Sequence, residues 1–150
     1  MVYGDSFFHP TDFFSDMMKF HQENSADVTM GLYLMENYKE FGVVKLEDSN
    51  VMDILEKPSE EEVKQVSVRG KYPINSGPIV FSTKVFDYIP KTEKSPAGEY
   101  WITDTIRLMI KDGLKVLGFF IPENVFWRDI GRPESRIEAE RYILGLSHPL

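Results

Sequence analysis

The apolar residues of this chain follow two patterns, short apolar runs typical of strands and a helical spacing typical of helices. Residues 43–46 and 51–55 are rich in β-branched and apolar side chains, and the short polar residues 48–50 lie between them. This combination predicts a β-hairpin. The second strand should end at Pro58, because proline cannot donate a hydrogen bond to a neighbouring strand.

Helical spacing of apolar residues predicts a helix from Pro10 to about Asn24, whose buried stripe includes Phe13 and Met17. Further helices are predicted over 85–89, from the segment 99–104 to about Lys111, and from Pro133 to Gly145. Strands are predicted at 2–3, 28–35, 73–81, 114–121 and 126–130. The order indicates an α/β fold: a mixed, mostly parallel sheet flanked by helices, with the hairpin inserted.

The strand predicted at 73–81 contains an unusual interruption, because residues 75–78 read Asn-Ser-Gly-Pro inside an apolar run. Glycine and proline within a strand mark a bulge or a close approach of a ligand to the backbone. Asn75 would then offer one hydrogen-bond donor group and one acceptor. A simple kink without a binding role is the alternative.

Composition limits the classes of function. A chain of 150 residues with 42% hydrophobic residues suits one globular domain, taken here as residues 1–150. Its net charge of −7 argues against nucleic acid as a partner, since binding of nucleic acid needs a basic face. The sequence contains no cysteine and no apolar run long enough to span a membrane. These features together favour a cytoplasmic protein.

Two groups of residues are candidates for chemistry. Gly42 begins the first hairpin strand, and Glu56 and Lys57 end the second, so a small floor faces two opposite charges. A phosphorylated polyol would fit this arrangement, although an exposed ion pair is the simpler reading. Asp5 and Asp129 each stand at the end of a predicted strand and near a glycine, Gly4 or Gly131. If the fold brings them together, they suit Mg²⁺, and if it does not they are ordinary turn residues.

These motifs also occur in a recognisable order. They are Gly4-Asp5, Phe41-Gly42, Glu56-Lys57-Pro58, Asn75-Ser76-Gly77, Glu99 before Ile102-Thr103-Asp104, and Trp127-Arg128-Asp129-Ile130-Gly131. The series resembles the sugar-1-phosphate nucleotidylyltransferases, which make nucleotide sugars, over residues 4–144. The alternative is an unrelated α/β domain in which the series is coincidental.

The resemblance implies a role for each matching residue. Asp5 and Asp129 would hold the catalytic Mg²⁺, and Lys57 would bind the sugar phosphate, so these three residues are the expected catalytic group. The remaining substrate contacts implied by the family are Gly42, Glu56, Asn75, Gly77, Glu99 and Trp127. Asn75-Ser76-Gly77 departs mildly from the family's Asn-Ala-Gly.

The resemblance also implies the reaction and its partners. A hexose-1-phosphate would react with a nucleoside triphosphate to give a nucleotide sugar and pyrophosphate. The motifs favour glucose-1-phosphate with dTTP or UTP, and mannose-1-phosphate with GTP is the alternative. No protein nucleophile is needed for such a transfer, which agrees with the absence of cysteine.

One family feature is missing from this sequence. Family members carry a Gly-rich loop that holds the nucleotide phosphates, whereas no two of the ten glycines here have Gly-x-Gly spacing. We therefore expect a partial fold that lacks the N-terminal Rossmann-like, nucleotide-binding half and is inactive alone. That missing half, or a second copy of the chain, is the expected protein partner. The alternative function is a non-catalytic module that binds a sugar phosphate or another protein.

Overall fold

The computed structural model describes residues 1–56, 58–95 and 98–145 of the chain. In these residues strands and helices alternate around an inserted hairpin. The strands are β1 (Ser6–His9), β2 (Val28–Met35), β3 (Val43–Glu47), β4 (Asn50–Leu55), β5 (Tyr72–Phe81), β6 (Val116–Phe120) and β7 (Phe126–Asp129). The helices are α1 (Phe13–Glu23), α2 (Glu60–Lys64), α3 (Val85–Tyr88), α4 (Ile102–Lys111) and α5 (Pro133–Ile143).

The hairpin predicted from the sequence is confirmed as β3 and β4. The two strands pair antiparallel from Val43 opposite Leu55 to Glu47 opposite Asn50. Asp48 adopts a left-handed conformation with φ of 53° in the turn, which aspartate tolerates better than most residues. The hairpin also links the rest of the sheet, since β3 pairs with β5 and β4 pairs with β6.

Five strands close into a barrel in the order β2-β5-β3-β4-β6. β2 pairs antiparallel with β5 on one side and parallel with β6 on the other. Among the described strands, β2–β6 is the only parallel pair, so the expectation of a mostly parallel sheet is wrong. Parallel neighbours need a long crossover, whereas the short hairpin connection forces β3 and β4 to run antiparallel. The mixed α/β class, with helices flanking the sheet, is confirmed.

β1 and β7 form a separate two-stranded antiparallel sheet, with Ser6 opposite Asp129 and His9 opposite Phe126. The sequence placed a strand end at residues 2–3, but those residues are not a strand, and β1 begins after the Gly4-Asp5 turn. The first residue nevertheless contacts the barrel: the Met1 amino group donates to the Ile79 carbonyl at 2.8 Å.

Two clusters of buried apolar residues fill the structure. One lies under α4, where Ile106 and Met109 pack with Met30 and Ile54 of the barrel strands. The other joins both sheets and includes Phe8, Phe13, Val43, Ile74 and Trp127. Burial of these side chains is the main force that holds the elements together.

Helix ends follow the sequence signals closely at one helix and less closely at another. α4 spans Ile102–Lys111 and ends where the sequence predicted, and Gly113 follows it with a φ of 79°, the left-handed conformation typical of a helix end. α1 begins at Phe13 instead of Pro10, because residues 10–12 form the irregular connection between β1 and the helix. Within the described ranges, no helix is long and apolar enough to cross a membrane.

Candidate functional site

A cavity of about 640 Å³ lies where the two sheets meet. It is lined by the start of β1 and the turn before it, by β7, by both ends of the hairpin, by the bulged part of β5 and by the start of α4. Most residues expected from the sequence to form a site contribute to this lining: Asp5, Gly42, Glu56, Asn75, Trp127 and Asp129. The fold therefore brings together residues that are up to 124 positions apart in the sequence.

Asp5 and Asp129 converge at one end of this cavity. The antiparallel pairing places Asp129 opposite Ser6, and the Ile130 amide donates to the Asp5 carbonyl at 2.7 Å. The Gly131 amide then donates to Asp129 Oδ1 at 2.8 Å and fixes that carboxylate. A Cβ atom on Gly131 would lie 3.0 Å from Asp129 Oδ1 and 3.3 Å from Asp5 Oδ2. Both carboxylates thus face the same small space, which only glycine leaves open.

This space suits a metal ion that takes part of its coordination from a substrate. No group of three His, Cys, Asp or Glu side chains in the described parts of the chain could hold a metal by itself. Mg²⁺ is commonly held by one or two carboxylates together with waters and substrate phosphates. The convergent pair Asp5 and Asp129 fits that pattern, and it does not fit an all-protein site.

Gly42 and Glu56 form the floor of the cavity. A Cβ atom on Gly42 would lie 3.2 Å from Glu56 Oε1, so the absence of a side chain lets the Glu56 carboxylate lie against the backbone. The Gly42 carbonyl accepts a hydrogen bond from the backbone N–H of Asn75 at 3.0 Å, which connects the hairpin to β5. The hairpin end and β5 are therefore held as one surface beneath any bound molecule.

Asn75 lies at the bulge that the sequence predicted in β5. The register between β2 and β5 shifts on either side of Gly31, and residues 76–78 occupy the extra length of β5. The Gly77 amide donates to Asn75 Oδ1 at 3.2 Å, and Asn75 Nδ2 donates to the Tyr3 hydroxyl at 3.4 Å. These bonds orient the amide group toward the cavity.

Three residues expected at the site are not among the described residues that line the cavity. Gly77 does not line the cavity, but its φ of 109° and a would-be Cβ only 2.9 Å from Tyr3 Cδ2 show that it makes room for the tyrosine ring. Glu99 is also outside the lining, and its carboxylate accepts a hydrogen bond from Trp101 Nε1 at 3.1 Å. Lys57 lies outside the described residues, directly after Glu56 in the sequence.

The comparison with known families decides the class of this protein. The family described as "Nucleotidyl transferase" matches residues 1–145. The chain belongs to this family.

Individual relatives agree with the assignment. The chain is 38% identical over 111 residues to the bifunctional protein GlmU of Methanocaldococcus jannaschii, covering 73% of this chain and 24% of the relative. It is 29% identical over 146 residues to a bifunctional sugar-1-phosphate nucleotidylyltransferase/acetyltransferase of Sulfurisphaera tokodaii, covering 96% of this chain and 32% of the relative. The chain thus spans a quarter to a third of the length of these curated relatives.

A solved structure shows the same fold. The chain superposes on apo UDP-glucose pyrophosphorylase with a TM-score of 0.77 at 18% identity, covering 97% of this chain and 53% of that one. Nearly the whole chain therefore shares the fold of about half of that structure.

Sequence reasoning missed Tyr3, which lines the cavity beside Asp5. Burial raises the pKa of the Tyr3 hydroxyl; the hydrogen bond from Asn75 lowers it, and the nearby charges of Glu56 and Asp5 raise it further. Because the pKa lies above its ordinary value, the hydroxyl keeps its proton at neutral pH. The position of Tyr3 directly before the Gly-Asp turn is the signal that could have identified it.

Trp127 forms the apolar wall of the cavity. Its ring is 3% exposed and packs against Phe8, Tyr33 and Phe41, with centroid separations of 6.5, 5.5 and 5.3 Å. The indole N–H is buried and finds no acceptor in the described part of the chain. This packing holds the start of β7 in place and thereby positions Asp129, two residues further along the strand.

The cavity is strongly acidic. Its lining includes four carboxylates, those of Asp5, Glu40, Glu56 and Asp129, and no lysine or arginine among the residues that the structure describes. Glu40, which was not expected at the site, is paired with Arg132. A phosphorylated ligand would need added positive charge here, because four carboxylates repel an anion.

Proposed function

We propose that this cavity binds the hexose-1-phosphate in a nucleotidyl transfer that makes a nucleotide sugar. The observation that supports the proposal most directly is the convergence of Asp5 and Asp129 in the cavity whose floor is Gly42 and Glu56. Carboxylates for a metal and polar groups for a sugar thereby stand side by side. The relative from Sulfurisphaera tokodaii is named as a sugar-1-phosphate nucleotidylyltransferase, which agrees with this reading.

The chemistry requires positioning more than covalent catalysis. A phosphate oxygen of the hexose-1-phosphate attacks the α-phosphorus of the nucleoside triphosphate and forms the new P–O bond. The bond from the α-phosphorus to the bridging oxygen breaks, and pyrophosphate leaves with the electron pair. Glu56 and Asn75 would hold sugar hydroxyls over Gly42, and Lys57 would neutralise the attacking phosphate.

Asp5 and Asp129 would hold Mg²⁺, with phosphate oxygens and water completing the coordination. When bound, this ion supplies positive charge where negative charge develops on the phosphate oxygens. The acidic lining makes such charge necessary. Trp127 would shield one side of the cavity from water by its apolar ring, and the protonated Tyr3 hydroxyl could hydrogen-bond to the ligand.

For the substrates, we propose glucose-1-phosphate with dTTP or UTP. The similarity in fold to a UDP-glucose pyrophosphorylase is compatible with that choice. Mannose-1-phosphate with GTP is the second candidate, because its family branch shares the Asp-Ile-Gly-x-Pro-Glu run found at residues 129–134. Both candidates place a hexose-1-phosphate in the described cavity.

We expect this polypeptide to bind the sugar phosphate without transferring the nucleotide. Its ten glycines include no Gly-x-Gly pair that could form a phosphate-binding loop. Loss of such backbone donors removes much of the stabilisation of the transition state. A polypeptide that supplies the loop would complete the site and restore release of pyrophosphate.

The test is a titration of the chain with glucose-1-phosphate in the presence of Mg²⁺, followed by calorimetry. We expect saturable binding that weakens at least about tenfold in Glu56→Gln and in Lys57→Ala, since each removes a charged hydrogen-bonding partner of the ligand. Glu47→Gln is the matched control, because Glu47 lies at the far end of β3 outside the cavity lining. Absence of binding, or equal binding by all variants, would overturn the proposal.

A further inference from the structure

An ion pair connects two segments that carry the site. Arg132 Nη1 lies 2.6 Å from Glu40 Oε1, although the two residues are 92 positions apart. Glu40 precedes Gly42 in the connection from β2 to the hairpin, and it lines the cavity. Arg132 follows the Asp129–Gly131 turn and immediately precedes α5. The pair therefore ties the floor of the cavity to the segment with the metal-facing carboxylate.

This tie is not needed to hold the fold together. The side chains of Arg132 and Glu40 are 58% and 52% exposed, and an ion pair this accessible to water contributes little to folding stability. The packing of Phe41 against Trp127 already joins the same two segments through an apolar contact. What the charged pair adds is a fixed distance between them, at the edge of the cavity and beside the Asp129 turn.

We propose that the Glu40–Arg132 ion pair is a positioning clasp that holds Gly42 and Asp129 at the separation needed to bind a phosphorylated sugar. This inference rests on the proposed function of the cavity. Neither residue would touch the reacting atoms. Both act through the two segments that they join.

Electrostatics allows this proposal to be separated from a simple charge effect. Glu40 is one of four carboxylates in the lining, so removing its charge should strengthen the binding of an anion on Coulombic grounds alone. It would also release Arg132 for direct contact with the phosphate, which again strengthens binding. A clasp predicts the opposite sign, because loss of Glu40 frees the two segments.

The experiment measures the dissociation constant of glucose-1-phosphate for the whole chain with Glu40→Gln, Arg132→Gln and both changes together. We expect each single variant to bind about twofold to fivefold more weakly, the range for an exposed ion pair. The double variant should bind no more weakly than either single one, because the pair acts as a unit. Glu138→Gln is the matched control. Glu138 lies on α5, outside the cavity lining, and its loss removes the ion-pair partner of Arg128. This change should leave the dissociation constant of glucose-1-phosphate unchanged.

Two results would overturn the clasp. Tighter binding by Glu40→Gln would show that charge repulsion or direct contact by Arg132 dominates. Effects of the two single changes that add in the double variant would show that the residues act independently.

A second readout keeps the proposed function and the clasp distinguishable. If the unmodified chain does not bind glucose-1-phosphate, the proposed function fails, and the clasp is judged by amide resonances measured by NMR. The clasp predicts that Arg132→Gln shifts the Gly42 amide and that Glu40→Gln shifts the Gly131 amide, while Glu138→Gln shifts neither. Absence of these reciprocal shifts would overturn the clasp regardless of ligand binding.

Discussion

The five-stranded barrel and the two-stranded β1–β7 sheet are built in different ways. Several barrel strands carry runs of buried β-branched and aliphatic residues, and the barrel closes around a continuous core with α4. The β1–β7 sheet has two strands of four residues each and unites distant parts of the chain. The barrel supplies stability, whereas the small sheet and the turn before it position the two carboxylates of the candidate metal site, Asp129 at the end of β7 and Asp5 just before β1.

This difference separates folding from function in the molecule. An isolated two-stranded sheet is only marginally stable, so β1 and β7 depend on Phe8 and Trp127 packing into the second core cluster. Changes in the barrel should therefore unfold the protein, and changes at the junction should alter binding at little cost to folding.

The largest effect is expected in the barrel core. Ile54→Ala on β4 should lower the free energy of unfolding by about 2–5 kcal/mol, because Ile54 is fully buried and its removal leaves a cavity. Met52→Ala on the same strand is the control, since Met52 is 42% exposed and should change stability by less than about 0.5 kcal/mol. Denaturant unfolding measures both. Equal effects at the two positions would contradict the assigned core.

The next effect is expected where β5 meets Tyr3. Gly77→Ala should destabilise the chain by about 1–3 kcal/mol, because alanine would keep a φ of 109° and clash with Tyr3 and Ser6. Gly113→Ala shares the positive φ but meets no atom within 4 Å, so it should cost only about 1 kcal/mol. Thermal unfolding compares them. If Gly77→Ala is as stable as Gly113→Ala, the Tyr3 ring moves aside at no cost, and the predicted clash is wrong.

A third change should affect binding and leave folding intact. Gly131→Ala places a methyl group between Asp5 and Asp129, so it should weaken Mn²⁺ binding about tenfold or more. Stability should change by less than about 0.5 kcal/mol, since Gly131 does not have a positive φ. Gly4→Ala is the control beside Asp5, where a Cβ meets no atom within 4 Å. Unaltered Mn²⁺ affinity in Gly131→Ala would mean that the two carboxylates do not share one ion.

The smallest effect concerns pH and the start of β2. Burial raises the pKa of Asp27, but hydrogen bonds from Lys84 and from the Lys115 amide, with the charge of Lys84, lower it below its ordinary value overall. Because the folded-state pKa is depressed, Asp27 contributes stability above its unfolded pKa of about 3.9 and loses it as the pH falls through the folded-state pKa.

The stabilising effect of Asp27 should therefore stay below about 1 kcal/mol and shrink as the pH falls from about 5 to about 2. Comparing the unfolding of the unmodified chain and Asp27→Asn across this range measures it. Glu23→Gln, in the exposed Lys19–Glu23 pair, is the control. If the difference in free energy of unfolding between the unmodified chain and Asp27→Asn grew as the pH fell, the depressed pKa of Asp27 would be contradicted.

The sequence predicted most of the barrel because its strands are marked by local patterns. The hairpin, β2 and α4 follow directly from apolar runs, turn residues and the glycine after the helix. β1 was missed, because four residues between a turn and a proline carry too little pattern to indicate a strand. Strand direction was also misjudged, since pairing depends on contacts between distant segments that no local pattern records.

The motifs and the family resemblance led us to expect a site at Asp5, Glu56, Asn75 and Asp129. The structure places all four in the lining of one cavity, and their roles stay predictions. Glu40 and Arg132 could not be found, because each looks like an ordinary surface charge until the fold brings the two together. Oligomerisation, expected from the sequence, stays a prediction.

The central claim is that Asp5 and Asp129 form one metal site with the phosphate of the sugar. Electron paramagnetic resonance of Mn²⁺ in the presence of glucose-1-phosphate tests it most directly in the unmodified chain, Asp5→Asn and Asp129→Asn. We expect one bound ion per chain, with an affinity that falls at least about tenfold in both variants, because each removes a ligand. Unchanged Mn²⁺ affinity in either variant would contradict the claim.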